Sequence, residues 1–133
     1  MQFVRNFDAS APISAYGVSA LLLADSDETG KKIAAALWGF GADVDWQPSV
    51  PAVSCDPALI VVDCDALGGY AAGQAALRRM TVPHHPLAAI LISSEAVTPD
   101  FPQAPTDPVI LCAPVSLVAL RVGFEHAMRA HPF

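Results

Sequence analysis

The sequence predicts a doubly wound α/β domain built on a parallel sheet. Three observations carry that prediction. Short continuous apolar runs recur along the chain: VSALLLA, ALIVV, LAAILI and VILC. Continuous rather than alternating apolar character belongs to strands covered on both faces, as in parallel sheets. Helix-like segments alternate with these runs, which is the pattern of strand–helix–strand crossovers. Polar residues close several of the runs, where sites form in such folds, beyond the carboxyl ends of the strands at the switch point.

The elements follow in order. Residues 1–17 read as an N-terminal extension, with Phe3, Val4, Phe7 and Tyr16 available to pack on the domain or on a partner. Residues 18–133 form the domain. Val18 to Ala24 is the first strand, and the acidic turn DSDE leads into a helix from Thr29 to Phe40, with Ile33 and Leu37 at i and i+4. Gly39 and Gly41 bracket its end. Ala42 to Trp46 is a short strand. QPSVPAVSCDP carries too many prolines for a proper helix and reads as a loop or a single turn. Ala58 to Val62 is the next buried strand, and Tyr70 to Met80 a helix that ends in the VPHHP loop. Leu87 to Ile92 and Val109 to Cys112 are the fourth and fifth strands. Ser116 is placed to cap a last helix whose apolar positions are Leu117, Leu120, Val122, Phe124 and Met128. On this topology Asp25, Asp63, Ser93 and Ala113 all stand at strand ends that share one crevice.

Composition narrows the function. The 133 residues suit one domain with a real core. Hydrophobic residues make up 53% and charged residues only 15%, against about 25% charged in an ordinary soluble domain. Mean hydropathy is +0.43, so apolar surface is expected to be buried against a partner or a second copy. The net charge of −6, with Lys and Arg totalling 7, argues against nucleic acid. Cys55, Cys64 and Cys112 are odd in number, widely spaced and without a C-x-x-C, so a reducing, cytoplasmic setting is expected and neither a disulfide framework nor a zinc site is. The apolar runs are far shorter than the ~20 residues a bilayer needs, and the first 17 residues lack the continuous apolar stretch of a secretory signal. His84-His85 lies in a loop at the opposite end of the sheet from Asp63 and reads as surface.

Taken together, ALLLADSDETGKKIAAAL, LIVVDCDALGG, ILISSEA and ILCAPVSLVAL resemble, in order, spacing and strand context, the receiver domain of two-component response regulators. The resemblance covers residues 18 to 130. It implies a flavodoxin-like fold with strand order 2-1-3-4-5, in which Asp63 matches the phosphate-accepting aspartate and Asp25 the first residue of the acidic pair. Ser93 matches the hydroxyl residue closing the fourth strand, and Ala113-Pro114 stands where the family has Lys-Pro.

The departures shape the functional expectation. Ser26 replaces the second acid, with Asp27 one residue further on; Ala113 replaces the lysine. A hydroxyl is a poorer ligand than a carboxylate for the magnesium ion that family receivers bind, so Asp25 and Asp63 are its expected ligands only if magnesium is bound at all. Loss of an acid and a lysine together is nearly charge-neutral, as expected of a site drifting in a compensated way. Ile110 occupies the position of the family's switching aromatic. The second helix is shortened, and Pro99, Pro102, Pro105 and Pro108 replace the fourth helix with a loop, which is expected to uncover helix flanks and part of the sheet. The expected function is a non-enzymatic pseudo-receiver: a phosphorylation-independent interaction module in signal transduction, whose candidate partners are a histidine kinase, another signalling protein or a second copy in a homodimer. Trp46, Phe101, Pro102, Val115 and Phe124 are the expected interface. A functioning phosphoacceptor using Asp63 is the first alternative, and a small-ligand site near Gly68-Gly69 and Ser93 the second. Asp25 also reads as an N-cap, with Glu28 three residues on.

Overall fold

The structure, a computed structural model, describes residues 17–52, 57–80, 87–104 and 106–130. Its elements are β1 (Ser19–Leu23), α1 (Glu28–Gly39), β2 (Asp43–Gln47), β3 (Leu59–Asp63), α2 (Cys64–Leu67), α3 (Tyr70–Met80), β4 (Ala88–Ser93), β5 (Val109–Cys112) and α4 (Leu117–Ala130). All five strands are parallel and ordered β2-β1-β3-β4-β5. The fold is therefore flavodoxin-like: the parallel sheet is the one the apolar runs predict, and its strand order is the one the receiver resemblance implies. No helix among the described residues is long and apolar enough to cross a membrane.

Every residue of β3 and of β4 is buried, because these central strands are covered on both faces. Strand side chains alternate between faces, and two core layers result. Leu22, Val61, Ile90 and Leu111 point to one layer, where Ile33 and Leu37 of α1 and Leu120 and Phe124 of α4 meet them. Leu21, Leu23, Ile60, Val62 and Leu91 point to the other, against Cys64 and the small residue Ala76 of α3. Full burial of one such side chain is worth about 1.5–3 kcal/mol. α3 lies close to α2 because position 73 is glycine: a Cβ there would collide with the Cys64 sulfur.

Several local expectations are corrected. Asp25 does not cap α1. The cap is Asp27, whose carboxylate accepts the Gly30 N–H at 2.9 Å. The preference for an acid just ahead of the helix is met, but two residues later than the box pattern suggests. Gly30 lets the chain close at this point, since a Cβ would collide with the Asp25 carbonyl oxygen and stand 2.8 Å from the Trp46 ring. On α4, Ser116 is the cap, its hydroxyl accepting from Ala119 N–H at 3.0 Å. The buried stripe of that helix is Leu120, Phe124, Ala127 and Met128; Leu117, Val118 and Val122 lie off it, 63%, 73% and 45% exposed.

The connection after β2 holds no helix among its described residues, and neither does the segment from Ser94 to Pro108. That proline-rich segment does not leave the sheet bare, however. Asp100 and Ile110 exchange backbone hydrogen bonds of 2.9 Å in an antiparallel bridge, which occupies the outer edge of β5. An open strand edge invites pairing with another chain, and covering it is a common remedy. Phe101 packs on the α1–α4 core layer and edge-on to the His126 ring. His126 Nε2 lies 2.6 Å from the Pro102 carbonyl oxygen; a carbonyl only accepts, so Nε2 carries the proton and donates. The strap is thus fixed to β5 and to α4. Residues 1–16, Cys55, His84-His85 and Pro105 lie outside the described residues, as does His131.

Candidate functional site

The carboxyl ends of β1, β3, β4 and β5 form the crevice in which sequence reasoning placed the site. Parallel register aligns them: Asp63 pairs with Ile92, Ser93 with Cys112, and the Ala113 N–H donates to the Ser93 carbonyl at 3.0 Å. Asp63 closes β3 and is 5% exposed. Burial raises its pKa, and the charges of Asp65 and Asp27 raise it further, while the backbone N–H groups of Ala66 and Asp65 act the other way. Cys64 is buried beside it; burial and the charges of Asp63 and Asp65 push its thiol up to about 12, so it is a packing residue and not a nucleophile.

The remaining polar groups are committed to one another. Ser93 is fully buried, and its hydroxyl accepts the Glu95 N–H at 3.0 Å. Ser94 gives its N–H and its hydroxyl to the Asp65 carboxylate, at 3.2 and 3.0 Å. Glu95 Oε2 accepts the Tyr70 N–H at 2.8 Å, placing a carboxylate at the start of α3, where the helix dipole favours it. The turn joining β3 to α3 uses Gly68 and Gly69 at φ of 115° and 130°. At Gly69 a side chain is barred twice, since a Cβ would also lie 2.8 Å from Glu95 Oε2. Asp65 and Glu95 are the structural residues that the sequence reading underused. The SSE triplet after β4 is the signal for them, because it supplies donor and acceptor to the facing turn.

The other predicted residues are distributed as follows. Asp25 and Ser26 are exposed on the β1–α1 turn. Asp27 is engaged at the helix cap. Ala113 is half-buried and packs on the α1–α4 core layer, and the Ala113–Pro114 peptide is cis. Of the expected interface residues, Phe124 is fully buried and is core, because it lies on the inner stripe of α4. Phe101 and Val115 are half-buried on the same layer. Trp46 is half-buried over α1, its indole N–H donating to the Ala24 carbonyl at 3.0 Å. Pro102 is half-buried and holds His126.

Magnesium asks for near-octahedral oxygen ligands at about 2.0–2.1 Å. The residues present do not fit it. Among the described residues no three of His, Cys, Asp and Glu converge to hold a metal ion, Ser26 brings no charge, and Asp27 is already an acceptor for Gly30.

A separate groove of about 640 Å³ runs between α1 and α4. It is mainly apolar, with Lys32 and Arg121 among its lining residues. Arg121 is stacked over the Phe40 ring and paired with Glu125 at 3.4 Å. Pro114, next after Ala113 beyond the end of β5, is among the groove's lining residues.

No family model and no curated protein matches the chain. A solved chain described as the yeast Spc42 trimeric coiled coil, amino acids 181–211, fused to another structure, is similar to it in shape. The TM-score is 0.61 over 87% of this chain and 78% of that one, at 18% identity. At that identity the likeness bears on the fold alone.

Proposed function

We propose that this chain is a divergent receiver-like domain that works in signal transduction as a phosphorylation-independent interaction module. The observation that carries the reading is the crevice at Asp63. It keeps a buried carboxylate at the end of β3 and a hydroxyl at the end of β4, yet Ala113 stands where a cation would balance them. A phosphoacceptor needs a metal and an ammonium to neutralise charge developing on the transferred group. Here Asp63 faces Asp65 and Asp27 instead, and both raise its pKa. The polar groups around it satisfy one another, which makes the crevice a structural joint between the β3 and β4 loops. Function then passes to the surface. Val118 and Val122 on α4 and Trp38 on α1 are exposed apolar side chains, suited to contact with a signalling protein such as a histidine kinase, or with a second copy, in a reducing compartment.

Magnesium titration followed by amide chemical shifts tests the reading. The expected result is no saturable shift at Asp25, Asp27 or Asp63 at millimolar metal. A saturable, localised shift at all three would favour a live phosphoacceptor, the second reading, which rests on the placement of Asp63 and Ser93 at adjoining strand ends.

A further inference from the structure

The geometry points to residues 1–16 of this chain as the occupant of the groove between α1 and α4, bound within the same molecule. The inference is independent of the receiver reading and starts from the groove. Its apolar lining is Ile33, Phe40, Pro114, Val115, Leu117 and Leu120. Its volume of about 640 Å³ is in the range of sites that take a few large side chains. An apolar groove of this size on a domain with 15% charged residues calls for a cover.

The point of attachment selects the occupant. The Val18 carbonyl accepts the Asp43 N–H at 2.8 Å, and the Ala42 N–H donates to the Leu37 carbonyl at 3.0 Å. The start of β1 is therefore stitched to the turn that ends α1. Gly39 and Phe40, at that same end of α1, line the groove. The preceding segment thus joins the fold beside one mouth of the groove. Gly17 adopts φ of 77°, a left-handed turn where the chain meets β1 rather than a straight extension of the strand.

Reach and chemistry agree. The 12 residues of α1 make a groove wall about 18 Å long. Sixteen residues of chain extend up to about 50 Å, so the apolar residues of the segment reach any point along it. Residues 1–16 hold Phe3, Val4, Phe7, Ile13 and Tyr16 but only one acid, Asp8, and one base, Arg5. Burying the segment therefore desolvates little charge, and Asp8 is the complement of Lys32 in the groove.

The test is an isotope-edited nuclear Overhauser measurement on the full chain. Contacts are sought between the rings of Phe3 and Phe7 and the methyl groups of Val115, Leu117 and Leu120. The expected result is a set of contacts that persists on dilution and is absent from the intermolecular channel of a mixed-label sample. In the Phe3→Asp/Phe7→Asp double variant those contacts are lost and the groove methyls shift, while the methyl groups of Leu21, in the opposite core layer, keep their positions. Contacts found only between differently labelled molecules would overturn the inference and make the groove an interface between copies. Groove methyls unmoved by the double substitution, with no contact to either ring, would overturn it outright. The magnesium and phosphodonor experiments that bear on the receiver reading are unaffected by either outcome.

Discussion

Ser94 places its backbone N–H and its hydroxyl on the carboxylate of Asp65, at 3.2 and 3.0 Å. An acid two residues after Asp63 is thereby used to fasten the loop after β4 to the turn after β3. Its charge still reaches Asp63, where it is the second cause of the raised pKa after burial. Asp65→Asn should separate the two roles. The Asp63 carboxyl should titrate at lower pH in the variant, read by carbon NMR. The lost charge-assisted hydrogen bonds should cost about 1 kcal/mol in urea unfolding.

Asp63 itself gives a pH dependence with a definite sign. Its folded pKa lies above the ordinary 3.8, so the folded state holds the proton more tightly than the unfolded chain. The resulting stabilisation is present below that ordinary value and is lost as pH rises through the folded value. At neutral pH the ionised, buried carboxylate opposes folding. Asp63→Asn should therefore be more stable than the parent at pH 7, with the gap closing as pH falls from the raised folded value to the ordinary one. Parallel urea titrations at pH 3.5 and 7 check the prediction; a variant less stable at pH 7 would contradict it.

The start of α1 distinguishes two neighbouring acids. Asp27→Ala removes the acceptor for the Gly30 N–H and should cost about 1 kcal/mol. Asp25→Ala removes an exposed side chain and should fall within about 0.5 kcal/mol of the parent. Thermal unfolding of the two single variants decides between them, and equal effects would mean that the cap is misassigned.

Gly73 and Cys64 should be energetically coupled. A Cβ at position 73 would collide with the Cys64 sulfur and stand 3.0 Å from its Cβ. Gly73→Ala should cost about 1–3 kcal/mol through overpacking. Adding Cys64→Ala removes the sulfur but not the Cβ, so it should recover part of that loss. A double-mutant cycle measures the coupling; strict additivity would count against the contact.

The sheet was legible because its strands are apolar on both faces, and β3, β4 and β5 fall where LIVV, AAILI and VILC lie. The helices were legible where periodicity and caps agreed, as with Ser116 at the head of α4. Less was legible where partners are distant in sequence. Nothing local says that Asp100 pairs with Ile110 or that Pro102 meets His126, so the proline-rich segment read as a loop that uncovers the sheet when it is a strap across its edge. Phe124 read both as an apolar position of the last helix and as interface; only the packing shows that it faces inward. At the site, residue types were readable at each strand end. The cross-links Asp65–Ser94 and Glu95–Tyr70 span 29 and 25 residues and needed the fold.

The central proposal, that Asp63 does not accept a phosphoryl group, is tested most directly by intact-mass spectrometry after incubation with a small phosphodonor and magnesium. An ordinary receiver serves as the positive control and Asp63→Asn as the negative. The account predicts no phosphoryl adduct on this chain under conditions that label the control. An adduct on the parent chain that disappears in Asp63→Asn would contradict it, and would mean that Ser26 and Ala113 slow the chemistry without abolishing it.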